Sequence, residues 1–187
     1  MDPVRPSEIA SSYLRDIART YRNYKALGDG AMAQVSDTDL CTLLDPDANS
    51  IALIVKHVAG NLRSRFTDFL TRDGEKPDRN RDGEFEINAP PLRAEILDWW
   101  ESGWTIALAA IEALAPEDLD RTVHIRGEAF LVVEALNRSA THTAYHVGQI
   151  VLLAKHFAGP NWKSLSIPKG QSAAYSKGAF KQGIVPK

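Results

Sequence analysis

The chain of 187 residues is poor in cysteine and has no long hydrophobic run. Its single cysteine, Cys41, excludes an internal disulfide framework and favours a reducing compartment such as the cytoplasm. No uninterrupted apolar run approaches the ~20 residues that cross a bilayer, and the first residues lack the apolar segment of a secretory signal. The net charge of −2 points to neither nucleic acid nor a membrane surface as a partner. We therefore expect a cytoplasmic protein that binds neither.

The composition provides enough apolar material for one hydrophobic core. Hydrophobic residues make up 44% of the chain and charged residues 25%, which argues against a disordered chain. A length of 187 residues is typical of one domain. We expect a single domain over residues 1–187, with a tail from about residue 160 that is rich in Gly, Ser, Lys and Pro and lies extended.

Four stretches have apolar residues at the three- and four-residue spacing of a helix. The predicted helices cover about residues 6–27, 49–72, 90–115 and 130–157. We expect Gly28 and Gly30 to end the first helix and Asp73-Gly74 to end the second, because glycine commonly follows the last helical turn.

Between these helices, residues 75–88 are densely charged and lack periodicity, which is typical of a long loop. Residues 122–127 alternate between apolar and polar side chains and indicate a strand or an extended hairpin. The predicted fold class is therefore all-α, a four-helix bundle with a short extended or hairpin segment before its last helix.

Two histidines on the last predicted helix stand four residues apart, at His142 and His146. This spacing places them about 40° apart around the helix axis and ~6 Å apart along it, so both imidazoles can reach one metal ion. Apolar residues share their face, and two imidazoles in an apolar interior need polar partners. A bound cation meets that need, and two hydrogen-bonded core histidines are the alternative.

His57 on the second predicted helix favours the metal site. It belongs to a polar stripe with Ser50, Asn61 and Asp68, beside the apolar face, and such a stripe in a bundle commonly lines a cavity. Three histidines from two helices leave a coordination position open, as in catalytic zinc sites. His156 falls on the inner half of its helix but ~15 Å beyond His146, so we do not expect it to be a ligand.

Two segments resemble the metal motifs of the DinB/YfiT-like superfamily. Residues 50–61, which contain His57, are similar to its first motif, and His142-Thr143-Ala144-Tyr145-His146-Val147-Gly148-Gln149-Ile150 is similar to its second, a histidine pair followed by Gly-Gln. Residues 65–85 and 162–172 resemble an uncharacterised bacterial branch of that superfamily. The resemblance implies a four-helix bundle, commonly a homodimer, that binds one divalent ion, often zinc or nickel, through His57, His142 and His146.

Several functions are compatible with such a site. An open metal position suits a metal-assisted hydrolase or a transferase that uses a small thiol. The resemblance implies the second, because characterised members of that superfamily include thiol transferases. The other class is a non-catalytic metal sensor or a structural dimeric bundle. Candidate general bases are Asp68, which more simply pairs with Arg72 four residues on, and Glu134. Candidate substrate-binding residues are Asn61, Arg138, Tyr145 and Gln149. We expect His124 to lie at the surface and Cys41 to be a small buried residue rather than a nucleophile.

The small net charge conceals an uneven distribution. Seven basic residues and no acidic one follow Glu134, and such a split suggests an anionic partner. The interpretation that we favour is that this basic segment folds against the acidic body. The alternative is that Arg138 and tail lysines such as Lys163 and Lys169 attract an anionic small molecule or thiol to the metal.

Overall fold

The computed structural model describes residues 6–173, and most of them are helical. The described helices are α1 (Pro6–Met32), α2 (Asp37–Cys41), α3 (Ile51–Phe66), α4 (Arg93–Glu112) and α5 (Val132–Ala158). Short 3₁₀ turns occupy Asp82–Phe85, Pro116–Asp118 and Gly159–Asn161, and two strands, β1 (Thr122–Ile125) and β2 (Glu128–Leu131), precede α5. The helical class is confirmed, with a small two-stranded sheet added to it.

The four long helices enclose one apolar core. Helix α1 lies against α4 and α5, and α3 also lies against α4 and α5. Trp100 and Trp104 of α4 are fully buried at the centre, and the Tyr21 ring of α1 meets Trp104 and Phe66 edge-on, with centroid distances of 6.1 Å and 5.8 Å. Within residues 6–173, no helix combines the length and the apolar character needed to span a bilayer.

The alternating segment, predicted as a strand or an extended hairpin, forms the first strand and the turn of a hairpin. Strands β1 and β2 pair antiparallel, with Ile125 opposite Glu128. Arg126 and Gly127 make the turn and both have positive φ, 58° and 76°. The carboxylate of Asp73 accepts hydrogen bonds from both of their backbone N–H groups, at 2.8 Å and 2.7 Å. This contact fastens the hairpin to the chain that follows α3.

The predicted end of the first helix is wrong. Helix α1 continues through Gly28 and Gly30 to Met32. A Cβ atom at Gly28 would overlap the indole ring of Trp100, and one at Gly30 would overlap Leu165. The two glycines therefore let neighbouring side chains approach α1 closely, and they do not end it.

One other helix end differs from the prediction, and one short helix was not predicted. Helix α3 ends at Phe66, because Thr67 is extended and Asp68 has a φ of 49°. Helix α2 lies in the expected polar connection, where Ser36 and Asp39 form a capping box: the Ser36 hydroxyl accepts from the Asp39 N–H at 3.2 Å, and the Asp39 carboxylate accepts from the Ser36 N–H at 3.0 Å.

The described part of the tail contacts the residues just after α1 through its backbone. The side chain of Gln34 accepts a hydrogen bond from the N–H of Lys163 at 2.7 Å and donates to its carbonyl at 3.1 Å. The side chains of Lys163 and Lys169 are exposed and form no ion pair with any residue in the 6–173 range. The further basic residues of the tail, Lys177, Lys181 and Lys187, lie outside the described residues.

Candidate metal centre

Three histidines from two helices meet in the structure. His57 extends from α3, and His142 and His146 extend from adjacent turns of α5. Their ring centroids are 4.6–5.2 Å apart, and one nitrogen from each ring lies within 4.8 Å of the other two. The three imidazoles can therefore hold a single metal ion.

The distance between two of the nitrogens fits a metal site. The Nε2 atoms of His57 and His142 are 3.2 Å apart. Imidazole nitrogens bind zinc at about 2.0–2.1 Å, so two ligands at a tetrahedral angle lie about 3.3 Å from each other. The spacing of these two nitrogens thus matches the spacing that a common tetrahedral ion requires.

Two of the histidines are oriented by hydrogen bonds on their other nitrogen. Nδ1 of His57 lies 2.8 Å from the carboxylate of Glu84, and Nδ1 of His146 lies 2.8 Å from the side-chain oxygen of Gln149. Both oxygens accept hydrogen bonds, so each Nδ1 carries the proton and each Nε2 keeps its lone pair. Ligating histidines in metalloproteins are held in this way.

Glu84 is a buried carboxylate that remains ionised. Burial raises its pKa, but the hydrogen bonds from Arg79 and His57 lower it by more than burial raises it. The pKa of Glu84 therefore lies below its usual range. The Arg79 guanidinium grips both carboxylate oxygens, at 2.8 Å and 2.9 Å. Gly60 on α3 leaves room for this carboxylate, since a Cβ atom there would overlap it.

The α5 histidines are neutral at neutral pH. Burial, assisted by the nearby His146 and His57, lowers the pKa of His142 to about 4. Burial also lowers the pKa of His146, although its hydrogen bond to Gln149 acts in the opposite direction. A neutral imidazole is the form that binds a metal ion.

Three residues at the site were not predicted from the sequence: Arg79, Glu84 and Phe85, which all come from the predicted loop at residues 75–88. Phe85 packs against the His57 ring with centroids 4.6 Å apart, so the loop both covers and orients that histidine. One signal was available, because unstructured connections of more than about 12 residues in compact domains are commonly functional.

A cavity of about 490 Å³ opens beside the histidines and is lined by His57 and His142. Three of the four candidate substrate-binding residues line it: Asn61, Arg138 and Tyr145. The fourth, Gln149, instead orients His146. The cavity gives a small molecule access to the point on which the imidazoles converge.

The candidate bases are engaged elsewhere. The carboxylate of Asp68 lies 3.8 Å from Arg72, as the four-residue spacing predicts. Glu134 accepts a hydrogen bond from the N–H of Leu131 at 2.7 Å and caps α5. Ser50 likewise caps α3, accepting from the N–H of Leu53 at 3.2 Å. Of the four residues in the predicted polar stripe, only His57 and Asn61 line the cavity.

The remaining candidates lie outside the site. His124 is exposed, as expected, whereas His156 was expected on the inner half of its helix and is also exposed, which corrects that placement. Cys41 is partly buried, and burial together with the charge of Asp37 raises the pKa of its thiol. A raised pKa makes it a poor nucleophile.

The comparison with known proteins identifies a family without assigning an activity. No curated protein matches this chain. The model of the family described as "Protein of unknown function (DUF1572)" matches residues 8–171. This match covers most of the chain, which therefore belongs to that family.

Proposed function

We propose that this protein is a metal-dependent enzyme, with a divalent ion held by His57, His142 and His146 and a small-molecule substrate in the adjacent cavity. The observation that carries the proposal is the separation of 3.2 Å between Nε2 of His57 and Nε2 of His142, beside that cavity. We further propose that the chain is a DinB/YfiT-like four-helix bundle and that zinc or nickel is the ion, since both accept imidazole ligands.

The chemistry of the cavity favours thiol transfer over hydrolysis. A divalent ion with an open position stabilises a bound thiolate or lowers the pKa of a bound water. Among the described residues, no aspartate or glutamate lines the cavity, so a general base for water is lacking there. A thiol ionises far more readily than water, with a pKa of about 8.5 against about 15.7, so it depends less on such a base: its sulfur forms a bond to an electrophilic carbon, its proton passes to solvent, and the leaving group departs with its electron pair.

The protein's own residues have distinct roles in this proposal. Glu84 and Gln149 fix the rings of His57 and His146 through their Nδ1 protons. Asn61 and Tyr145 border the cavity and contact the substrate. Tyr145 also touches the His146 ring edge-on, with centroids 4.9 Å apart, so substrate bound against it lies next to the metal ligands.

Metal analysis of the protein purified without a histidine tag tests the proposal directly. We expect one divalent ion per chain, and weaker binding in His57→Ala, His142→Ala and His146→Ala. The matched controls are His124→Ala and His156→Ala, which remove exposed imidazoles and should keep the ion. Full occupancy in a protein that lacks both His142 and His146 would contradict the site.

A second measurement separates the enzyme from the metal sensor or structural bundle. Low-molecular-weight thiols are combined with an alkyl halide, before and after chelation of the metal. Turnover that disappears on chelation and returns with zinc or nickel supports the transferase. A fully metal-loaded protein without turnover of any thiol supports the sensor. The homodimer that the resemblance implies remains a prediction, and sedimentation equilibrium tests it.

A further inference from the structure

The cavity beside the three histidines is lined by positive charge. Five arginines contribute to its wall: Arg65, Arg79, Arg81, Arg126 and Arg138. They come from α3, the loop at residues 75–88, the hairpin turn and α5. Within the described part of the chain, no carboxylate lines this cavity. An assembly of like charges from four segments costs free energy unless something neutralises it.

Three of the five arginines pair with carboxylates of the protein, and the side chains of two of them, Arg65 and Arg79, are largely buried. The side chain of Arg79 is almost fully buried and binds the Glu84 carboxylate. Arg65 forms a two-pronged pair with Glu75, with both guanidinium nitrogens at 3.0 Å. These two charges are neutralised by the protein and support the histidine site from behind.

Two other arginines have no carboxylate partner in residues 6–173. Arg81 lies over the ring of Phe85, 6.0 Å from its centroid, and Arg138 lies over the ring of Phe130 at 5.6 Å. An aromatic face holds a guanidinium in place without cancelling its charge. Both groups are thus positioned at the cavity with their hydrogen-bonding edges available.

Arg126 occupies a turn position that its residue type does not favour. Its φ of 58° lies in the left-handed region, where two-residue hairpin turns prefer Asn or Gly. Its Nε lies 3.1 Å from Glu75, whose carboxylate is already shared by Arg65. A side chain kept on an unfavourable backbone at a cavity wall indicates a functional need for that side chain.

The geometry points to an anion-binding subsite: we propose that Arg81, Arg126 and Arg138 bind a carboxylate or phosphate group of the substrate. The flat, forked guanidinium matches both groups. A volume of about 490 Å³ suits a small molecule, since such ligands occupy cavities of roughly 300–1,000 Å³. The inference rests on the proposed function in one respect only: the reacting end of that molecule faces the histidines.

We place the attractor of anions at this subsite rather than at Lys163 and Lys169. Arg138 was a candidate from the sequence, and Arg81 and Arg126 line the cavity with it. Lys163 and Lys169 are absent from the cavity wall. The tail lysines therefore provide a matched control for the removal of two positive charges.

Calorimetric titration of the full-length protein with inorganic phosphate and with succinate tests the subsite. Each titration is done on the protein as purified and again after metal removal, at low ionic strength because salt screens exposed charges. We expect Arg126→Asn and Arg138→Gln each to weaken binding roughly tenfold, the effect of losing one charge-assisted hydrogen bond. Asn tolerates positive φ, so Arg126→Asn should keep its thermal stability. The Lys163→Gln/Lys169→Gln double variant should bind as wild type does.

The result distinguishes this inference from the proposed function. Phosphate binding that survives in His142→Ala but falls in Arg138→Gln supports the subsite, even if metal analysis finds no ion. A phosphate preference assigns a phosphorylated substrate, and a succinate preference assigns a carboxylated one. Failure of both probes to bind, equal binding by the arginine variants, or loss of binding only in the lysine double variant would overturn the inference.

Discussion

The imidazole of His57 and the carboxylate of Glu84 share one buried hydrogen bond of 2.8 Å, between Nδ1 and Oε2. The carboxylate comes from a 3₁₀ turn outside the long helices, and the imidazole comes from the middle of α3. A ligand held by an ionised carboxylate keeps its tautomer and is a better electron donor. This pair links the loop at residues 75–88 to the proposed metal centre.

Glu84→Gln should weaken metal binding by about 10- to 100-fold, the usual effect of losing a carboxylate behind a ligating histidine. The amide has the size of the carboxylate but lacks its charge. Competition with a chromophoric chelator measures the affinity. Glu86→Gln is the matched control, because Glu86 is exposed two residues further on. Equal affinities for both variants would show that Glu84 has no part in the site.

Gly60→Ala should also weaken metal binding, by roughly tenfold, although alanine is the better helix former by about 1 kcal/mol. The added methyl group displaces the Glu84 carboxylate and with it the His57 ring. Gly148→Ala on α5 is the control, since a Cβ atom there meets nothing within 4 Å. Zinc titration of both variants measures the affinity. An unchanged affinity in Gly60→Ala would show that the position of the Glu84 carboxylate does not affect metal binding.

Gly28→Ala should lower the free energy of unfolding by about 1–3 kcal/mol, the usual cost of overpacking a core. The methyl group collides with the fully buried ring of Trp100, whose indole N–H donates to Asp29 at 2.6 Å. Urea denaturation measures the change. Gly148→Ala, with open space around it, should instead be as stable as wild type or more stable. A stabilised Gly28→Ala would mean that the ring moves freely.

Acid should destabilise the metal-free protein through His142. The pKa of His142 is about 4 in the folded protein and 6.5 for a free imidazole, so the unfolded chain binds its proton first as the pH falls. Stability is therefore lost as the pH drops from 6.5 towards 4. Thermal unfolding with EDTA across this range should show a smaller loss in His142→Ala. The exposed His156→Ala should behave as wild type, and an identical loss in His142→Ala would refute the assignment.

The helical periodicity predicted most of the fold, because each long helix buries one apolar face. The same periodicity predicted that His57, His142 and His146 share the interior, since polar residues on a buried face need partners. Helix ends were predicted less well. A glycine signals either a helix end or a close contact, and at Gly28 the deciding neighbour, Trp100, is 72 residues away in the sequence.

The surroundings of the histidines could not be predicted from local patterns. Glu84 reaches His57 across 27 residues from a segment without periodicity, and only the length of that loop indicated a role. Charge counting showed an excess of basic residues after Glu134, of which only Arg138 lines the cavity among the described residues. The arginines that line the cavity come from separate segments, and two of these segments also contain acidic residues. A running sum of charge along the sequence therefore does not reveal the positive charge of the cavity.

The meeting of α3 and α5 at the histidines has a consequence for a chain with a single thiol. Such a chain cannot form an internal disulfide bond, yet His57 and His142, which are 85 residues apart in the sequence, lie side by side. An ion bound between them would act as a reversible cross-link, which binds the folded chain and stabilises it by its binding free energy. Its strength would follow the supply of metal and the acidity of the surroundings rather than their oxidising power.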